Sequence, residues 1–139
     1  MTDLEIAKSK LAGHTICLVK GESCIVSERR GIAPMMTLIA ENTDVTGFSV
    51  ADLVVGKAAA MLFVKCAVAA VFAKTLSVSG KRVLEEHAIP YEYETLTEKI
   101  INRTGTDLCP MEKALADTDD IEKAYLILKN KLQTMTAGK

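Results

Sequence analysis

Gly47-Phe48-Ser49-Val50-Ala51-Asp52-Leu53-Val54-Val55-Gly56-Lys57-Ala58-Ala59-Ala60 is the stretch on which the fold turns. Ser49 has the character of a helix N-cap, and Asp52 three residues on completes a capping-box variant with Asp in place of Glu. The pattern predicts one helix from Ser49 to about Cys66, apolar on nearly all sides. Such a helix belongs at the centre of a core. A lone Lys57 stands in it between Gly56 and three alanines.

Working outward, Asp3 to Leu11 reads as an amphipathic helix ended by Gly13. Thr15 to Val19 and Cys24 to Ser27 form a hairpin around Lys20-Gly21-Glu22-Ser23. Pro34 to Glu41 is a helix. Downstream of the central stretch, Val68 to Ala73 reads as a buried strand, Ser77 to His87 as a helix and Tyr91 to Leu96 as an edge-like strand. Pro110 fits the first position of a short helix to about Ala116. Asp117-Thr118-Asp119-Asp120 breaks it and caps the last helix, which is apolar at Ile121, Tyr125, Leu128 and Leu132. A hairpin followed by strand-helix-strand units predicts an α/β fold of three layers, a mixed sheet with helices on both faces.

With 139 residues the chain fits one domain over 1–139, with a frayed tail near 136–139. The hydrophobic fraction of 49% supports a packed core. A net charge of -1 supplies no field for nucleic acid, and 4% aromatics with no Trp supply no stacking platform. The most apolar window, Ala58 to Ala73, contains Lys65 and is too short for a membrane span. The acidic N-terminus lacks an apolar leader, so a soluble cytoplasmic protein is expected. Four Cys with no Cys-x-x-Cys pair, and two His, read as reduced thiols with no zinc site and no cofactor.

Gly47-Phe48-Ser49-Val50-Ala51-Asp52 with Val55-Gly56-Lys57-Ala58-Ala59-Ala60, and Ile101-Asn102-Arg103-Thr104-Gly105-Thr106 with Leu108-Cys109-Pro110-Met111-Glu112, resemble a small prokaryotic family of domains of unknown function with a cytidine-deaminase-like fold. The resemblance implies that fold over nearly the whole chain. Fold relatives are zinc deaminases with His-x-Glu and Pro-Cys-x-x-Cys at two helix starts. This chain has Gly56-Lys57-Ala58 and Ser77-Val78-Ser79-Gly80 at the corresponding places, which implies the fold without the metal and without deamination.

Two walls of a site follow. Lys57 among small residues is an amine that could hold phosphate, or attack a sugar aldehyde if neutral; its bland reading is a side chain snorkelling to the surface. Asp52 reads as an N-terminal cap group. The second wall is Asn102-Arg103-Thr104-Gly105-Thr106-Asp107. Arg103 can fork onto phosphate, the threonines offer hydroxyls, and Gly105 permits a tight turn. Its bland reading is a turn into a capped helix, with Glu112 completing that cap. Arg30 is a weaker third basic contact, and Cys109 a packing thiol. The expected function is binding of a nucleotide or ADP-ribose-type ligand by Gly56, Lys57 and residues 102–107. The rivals are a metal-free enzyme with Lys57 as nucleophile, and an interaction module assembled as a homo-oligomer through its helices or the Tyr91–Tyr93 edge.

Overall fold

A computed structural model describes residues 2–29, 31–98 and 110–137. Its elements run α1 (Asp3–Lys10), β1 (Ile16–Lys20), β2 (Ser23–Ser27), α2 (Ala33–Ala40), β3 (Ser49–Val55), α3 (Lys57–Lys65), β4 (Ala70–Ser77), α4 (Val78–Glu86), β5 (Tyr91–Thr97), α5 (Pro110–Ala114) and α6 (Ile121–Ala137). The five strands form one mixed sheet in the order β2-β1-β3-β4-β5. β1 runs antiparallel to both β2 and β3, while β3, β4 and β5 are mutually parallel.

The central stretch is not one helix. Ser49–Val55 is a strand, paired through Val50 to Leu18 on one side and to Val71 on the other. Ser49 is therefore no N-cap and Asp52 no cap group; both lie buried in β3. The physical reason is burial on both faces. A central strand sandwiched between layers carries apolar residues without alternation, which periodicity cannot separate from a buried helix. Gly56 is the boundary, in extended backbone, and only Lys57–Lys65 is helical. The following strand also shifts, to Ala70–Ser77, because Val68 belongs to the end of α3.

Alternation along the strands divides the core in two. Cys17, Val19, Ala51 and Phe72 face α1, whose Ala7 and Leu11 cover them. Ile16, Leu18, Val50, Val71 and Ala73 face the larger cluster, with Met35 and Met36 of α2, Met61, Leu62 and Phe63 of α3, Leu84 of α4, Leu115 just beyond α5 and Leu128 of α6. Helices thus lie on both sides of the sheet. α3 is buried from Ala58 through Phe63 because the sheet, the neighbouring helices and the C-terminal pair enclose it. Fully burying one such side chain stabilises by about 1.5–3 kcal/mol, so α3 is the centre of the fold.

Three helices end alike. After α2, α3 and α4 the chain turns through left-handed Asn42 (φ 57), Ala67 (φ 56) and Ala88 (φ 57). The N–H groups of Thr43, Val68 and Ile89 reach back to the carbonyls of Leu38, Phe63 and Leu84. These are Schellman ends, which satisfy carbonyls that a helix terminus leaves open. At α3 and α4 the apolar pairs Phe63–Val68 and Leu84–Ile89 are buried, as the motif favours.

Candidate functional site

The starts of α3 and α4 lie at the carboxyl ends of the parallel strands β3 and β4. Gly56 caps α3 without a side chain, so the N–H groups of the first turn need another acceptor. Glu112 of α5 supplies it. Its Oε1 accepts from Lys57 N–H at 2.8 Å and its Oε2 from Ala58 N–H at 2.9 Å. Glu112 is 8% exposed. A carboxylate at a helix N-terminus satisfies the open donors and opposes the helix dipole, and hydrogen bonds to a charged group contribute about 1.5–3 kcal/mol each. Glu112 therefore caps α3, a role that its place in the first turn of α5 does not announce.

The Lys57 side chain closes the same clasp from the other direction. Its Nζ donates to the Leu115 carbonyl at 2.9 Å and pairs with Asp119 Oδ1 at 3.3 Å. The Lys57 side chain is 14% exposed and that of Asp119 is 87% exposed, so the Asp119 pair is solvent-screened and the carbonyl contact is the stronger tie. The first residue of α3 thus grips α5 and the link beyond it. Lys57 does not snorkel freely; its ammonium is a fastening.

α4 starts hard against this junction. A Cβ on Gly80 would meet Gly56 C and O and Val55 O, each at 3.0 Å, so the first turn of α4 rests on the backbone that joins β3 to α3. Ser77 caps α4, its Oγ accepting from Gly80 N–H at 2.9 Å, and lies 3.1 Å from Ser79 Oγ. The N-terminal ends of two helices therefore stand side by side. Val78 and Val54 are exposed at this edge.

Asp52 lies on β3 in register with Ile16 and Ala73, both in the larger core cluster. Its Oδ1 accepts from Val54 N–H at 3.4 Å. Burial pushes its carboxyl up to about 8, against the opposing pull of the Val54 and Leu53 amides. Near neutral pH it is a protonated acid inside the fold.

Of the residues expected from sequence to form the site, Gly56 and Lys57 stand together at the start of α3. Asn102, Arg103, Thr104, Gly105, Thr106 and Asp107 lie outside the described residues, as do Arg30 and Cys109. The described chain resumes at Pro110, two positions before Glu112. Sequence reading missed Glu112 as the cap of α3, Asp119 as a partner of Lys57, and the Ser77–Gly80 turn as a neighbour of Gly56. Only the last had a signal: a glycine inside a helical pattern marks a close approach. Among the described residues, no group of three His, Cys, Asp or Glu gathers where a metal could be held. No helix among them is long and apolar enough to cross a membrane.

The chain is similar in structure to a DUF1893 family protein (TM1506) from Thermotoga maritima, known from a crystal structure, with a TM-score of 0.85 and 25% sequence identity over 94% of this chain and 91% of that one. No curated protein matches the sequence. The family described as TM1506, domain of unknown function (DUF1893), matches residues 6–132, and this chain belongs to it.

Proposed function

We propose that this chain is a small-molecule binding protein of cytidine-deaminase-like fold, taking a nucleotide or ADP-ribose-type ligand at the paired starts of α3 and α4. The contact of Gly80 with the Val55–Gly56 backbone carries the reading, because it seats two helix starts together at the carboxyl ends of β3 and β4. Open α/β sheets hold ligands outside the carboxyl ends of their strands, and helix starts favour anions. A hairpin followed by two parallel crossovers, in the order β2-β1-β3-β4-β5, supports the deaminase-like assignment. The zinc of deaminases needs thiolate and imidazole donors at two helix starts. The residues at these starts are Gly56, Lys57, Ala58, Ser77, Ser79 and Gly80, and they do not fit that metal.

Glu112 already neutralises the first turn of α3. The anionic part of a ligand therefore falls to the first turn of α4, with its Ser79 hydroxyl, and to Asn102, Arg103, Thr104, Gly105 and Thr106, while Asp107 would accept from the ligand's hydroxyls. Lys57 and Glu112 contribute by fastening α5, which follows that segment in the chain. Thermal shift and calorimetry with ATP, NAD and ADP-ribose test the reading. A saturable rise in Tm with at least one is expected, weakened by Ser79→Glu, which places a negative charge at the α4 start. No response of the wild type to any of the three sinks it. The rival role of Lys57, as an amine attacking a sugar aldehyde, requires Nζ to leave Leu115 and Asp119. A borohydride-trapped adduct on Lys57 after incubation with ADP-ribose would favour that chemistry instead.

A further inference from the structure

Cys17 and Cys24 lie on the same face of the β1–β2 hairpin, far from the α3 start in sequence and on the other side of the sheet. Cys17 pairs in register with Val26 and Cys24 with Val19, so the two cysteines are diagonal neighbours. Their sulfurs are 3.8 Å apart. Both are free thiols, and their surroundings differ: Cys17 is buried under α1 with Ala7, Leu11 and Phe72, while Cys24 is exposed on an edge strand. Cys66, the remaining described cysteine, caps the end of α3.

We propose that Cys17 and Cys24 form a reversible intramolecular disulfide, with a hydroperoxide as oxidant and a low-molecular-weight thiol as reductant. Cys24 meets the oxidant because it is the accessible sulfur. Its thiolate attacks the peroxide, forming an S–O bond as the O–O bond breaks. Cys24 is oxidised to a sulfenic acid, and the peroxide is reduced to an alcohol or water. The Cys17 sulfur then attacks the Cys24 sulfur. The S–S bond forms, the S–O bond breaks, and hydroxide leaves with the Cys17 proton as water. Two equivalents of reducing thiol reverse the step through a mixed disulfide.

Closing the bond brings the sulfurs from 3.8 Å to about 2.05 Å. Rotation of the Cys24 side chain and a small shift of its strand supply that movement. β2 has five residues and pairs only with β1 among the described strands, so its outer side is free to give. Burial first, and Cys24 beside it second, push the Cys17 thiol up to about 11, so the buried sulfur is the less reactive of the two toward the oxidant. The order of events follows from that asymmetry.

Hydrogen peroxide added to the full chain, followed by intact mass and a non-reducing tryptic map, tests the proposal. Trypsin cuts after Lys10, Lys20 and Arg29, so Cys17 falls in peptide 11–20 and Cys24 in peptide 21–29. The expected result is loss of two hydrogens per chain and a linked 11–20/21–29 species that dithiothreitol separates. Cys24→Ser, an exposed position, should abolish that species. Cys17→Ser should leave a sulfenic acid on Cys24 that dimedone traps. Absence of the linked peptide while Cys24 oxidises further, or a disulfide mapping to Cys66 instead, overturns the proposal. Should Cys17→Ser fail to fold, the wild-type map and Cys24→Ser still decide it.

Discussion

The starts and the ends of α3 and α4 lie at opposite ends of the parallel strands, and glycine is used at the helix starts but not at the left-handed positions of the helix ends. At the starts, Gly56 is extended and Gly80 is helical, and neither has a positive φ. Glycine stands at position 80 because a Cβ there would lie 3.0 Å from the Val55 and Gly56 backbone. At the ends, Ala67 and Ala88 occupy left-handed positions that glycine would fill with less strain. They help to line an open depression of about 320 Å³ with Val64, Val68, His87, Ile89 and Pro90. A side chain at Gly80 would force one of two touching backbones to shift, whereas left-handed strain of about 1–2 kcal/mol can be carried by a well-bonded helix end. The starts also hold the charged clasp of Lys57 and Glu112, so the fold concentrates its strict requirements at the end proposed to bind ligand.

The largest effect is expected on β3, the strand that leads into the starts. The Asp52 carboxyl is raised from its ordinary 3.8 to about 8, so the folded chain keeps a proton that the unfolded chain releases. Stability is therefore full below about pH 4 as far as this group is concerned, and falls as pH rises from there toward 8. The folding constant should drop by as much as tenfold per pH unit in that window. Asp52→Asn should flatten the slope in urea melts between pH 5 and 8; an unchanged slope would show that the carboxyl ionises without penalty.

Glu112→Ala comes next. It removes both acceptors from the α3 start and should cost about 3–4 kcal/mol of unfolding free energy. A loss below about 1 kcal/mol would mean that water replaces the clasp. Gly80→Ala and Ala67→Gly then set the two ends directly against each other, since they are inverse changes. Overpacking against backbone at Gly80 outweighs the better helix propensity of Ala, for a net loss of about 1–2 kcal/mol. Ala67→Gly relieves left-handed strain at the cost of a more flexible unfolded chain, for a net gain of about 0.5 kcal/mol. Thermal unfolding of both variants checks the signs. Two changes of the same sign would break the contrast between the ends.

Much of the fold was legible in sequence. The hairpin around Gly21, the helix at Pro110, the Asp120 cap whose Oδ1 accepts from Lys123 N–H, and the exposed strand at Tyr91 all carry local signals. Ser49 to Cys66 did not, because a doubly buried strand and a buried helix join at Gly56 into one apolar run. Gly56 is the boundary between them, and no local pattern around it marks the change from strand to helix. The candidate site was half legible. Lys57 beside Gly56 stood out as a cation among small residues, but Glu112 looked like an ordinary first-turn acid of its own helix. Nothing local to Glu112 points to an N–H group more than fifty residues earlier.

By itself, the sequence determined a mixed α/β domain with a hairpin at its beginning and a central apolar segment containing one notable lysine. Those features rest on turn chemistry, caps and hydrophobic runs, which act over a few residues. Only the tertiary structure decided that the central segment splits into β3 and α3, that Gly80 lies on Gly56, and that Lys57 and Glu112 fasten α5. Each of these depends on groups distant in the chain meeting at hydrogen-bond or van der Waals distance, and no pattern within a single segment encodes which partner will arrive.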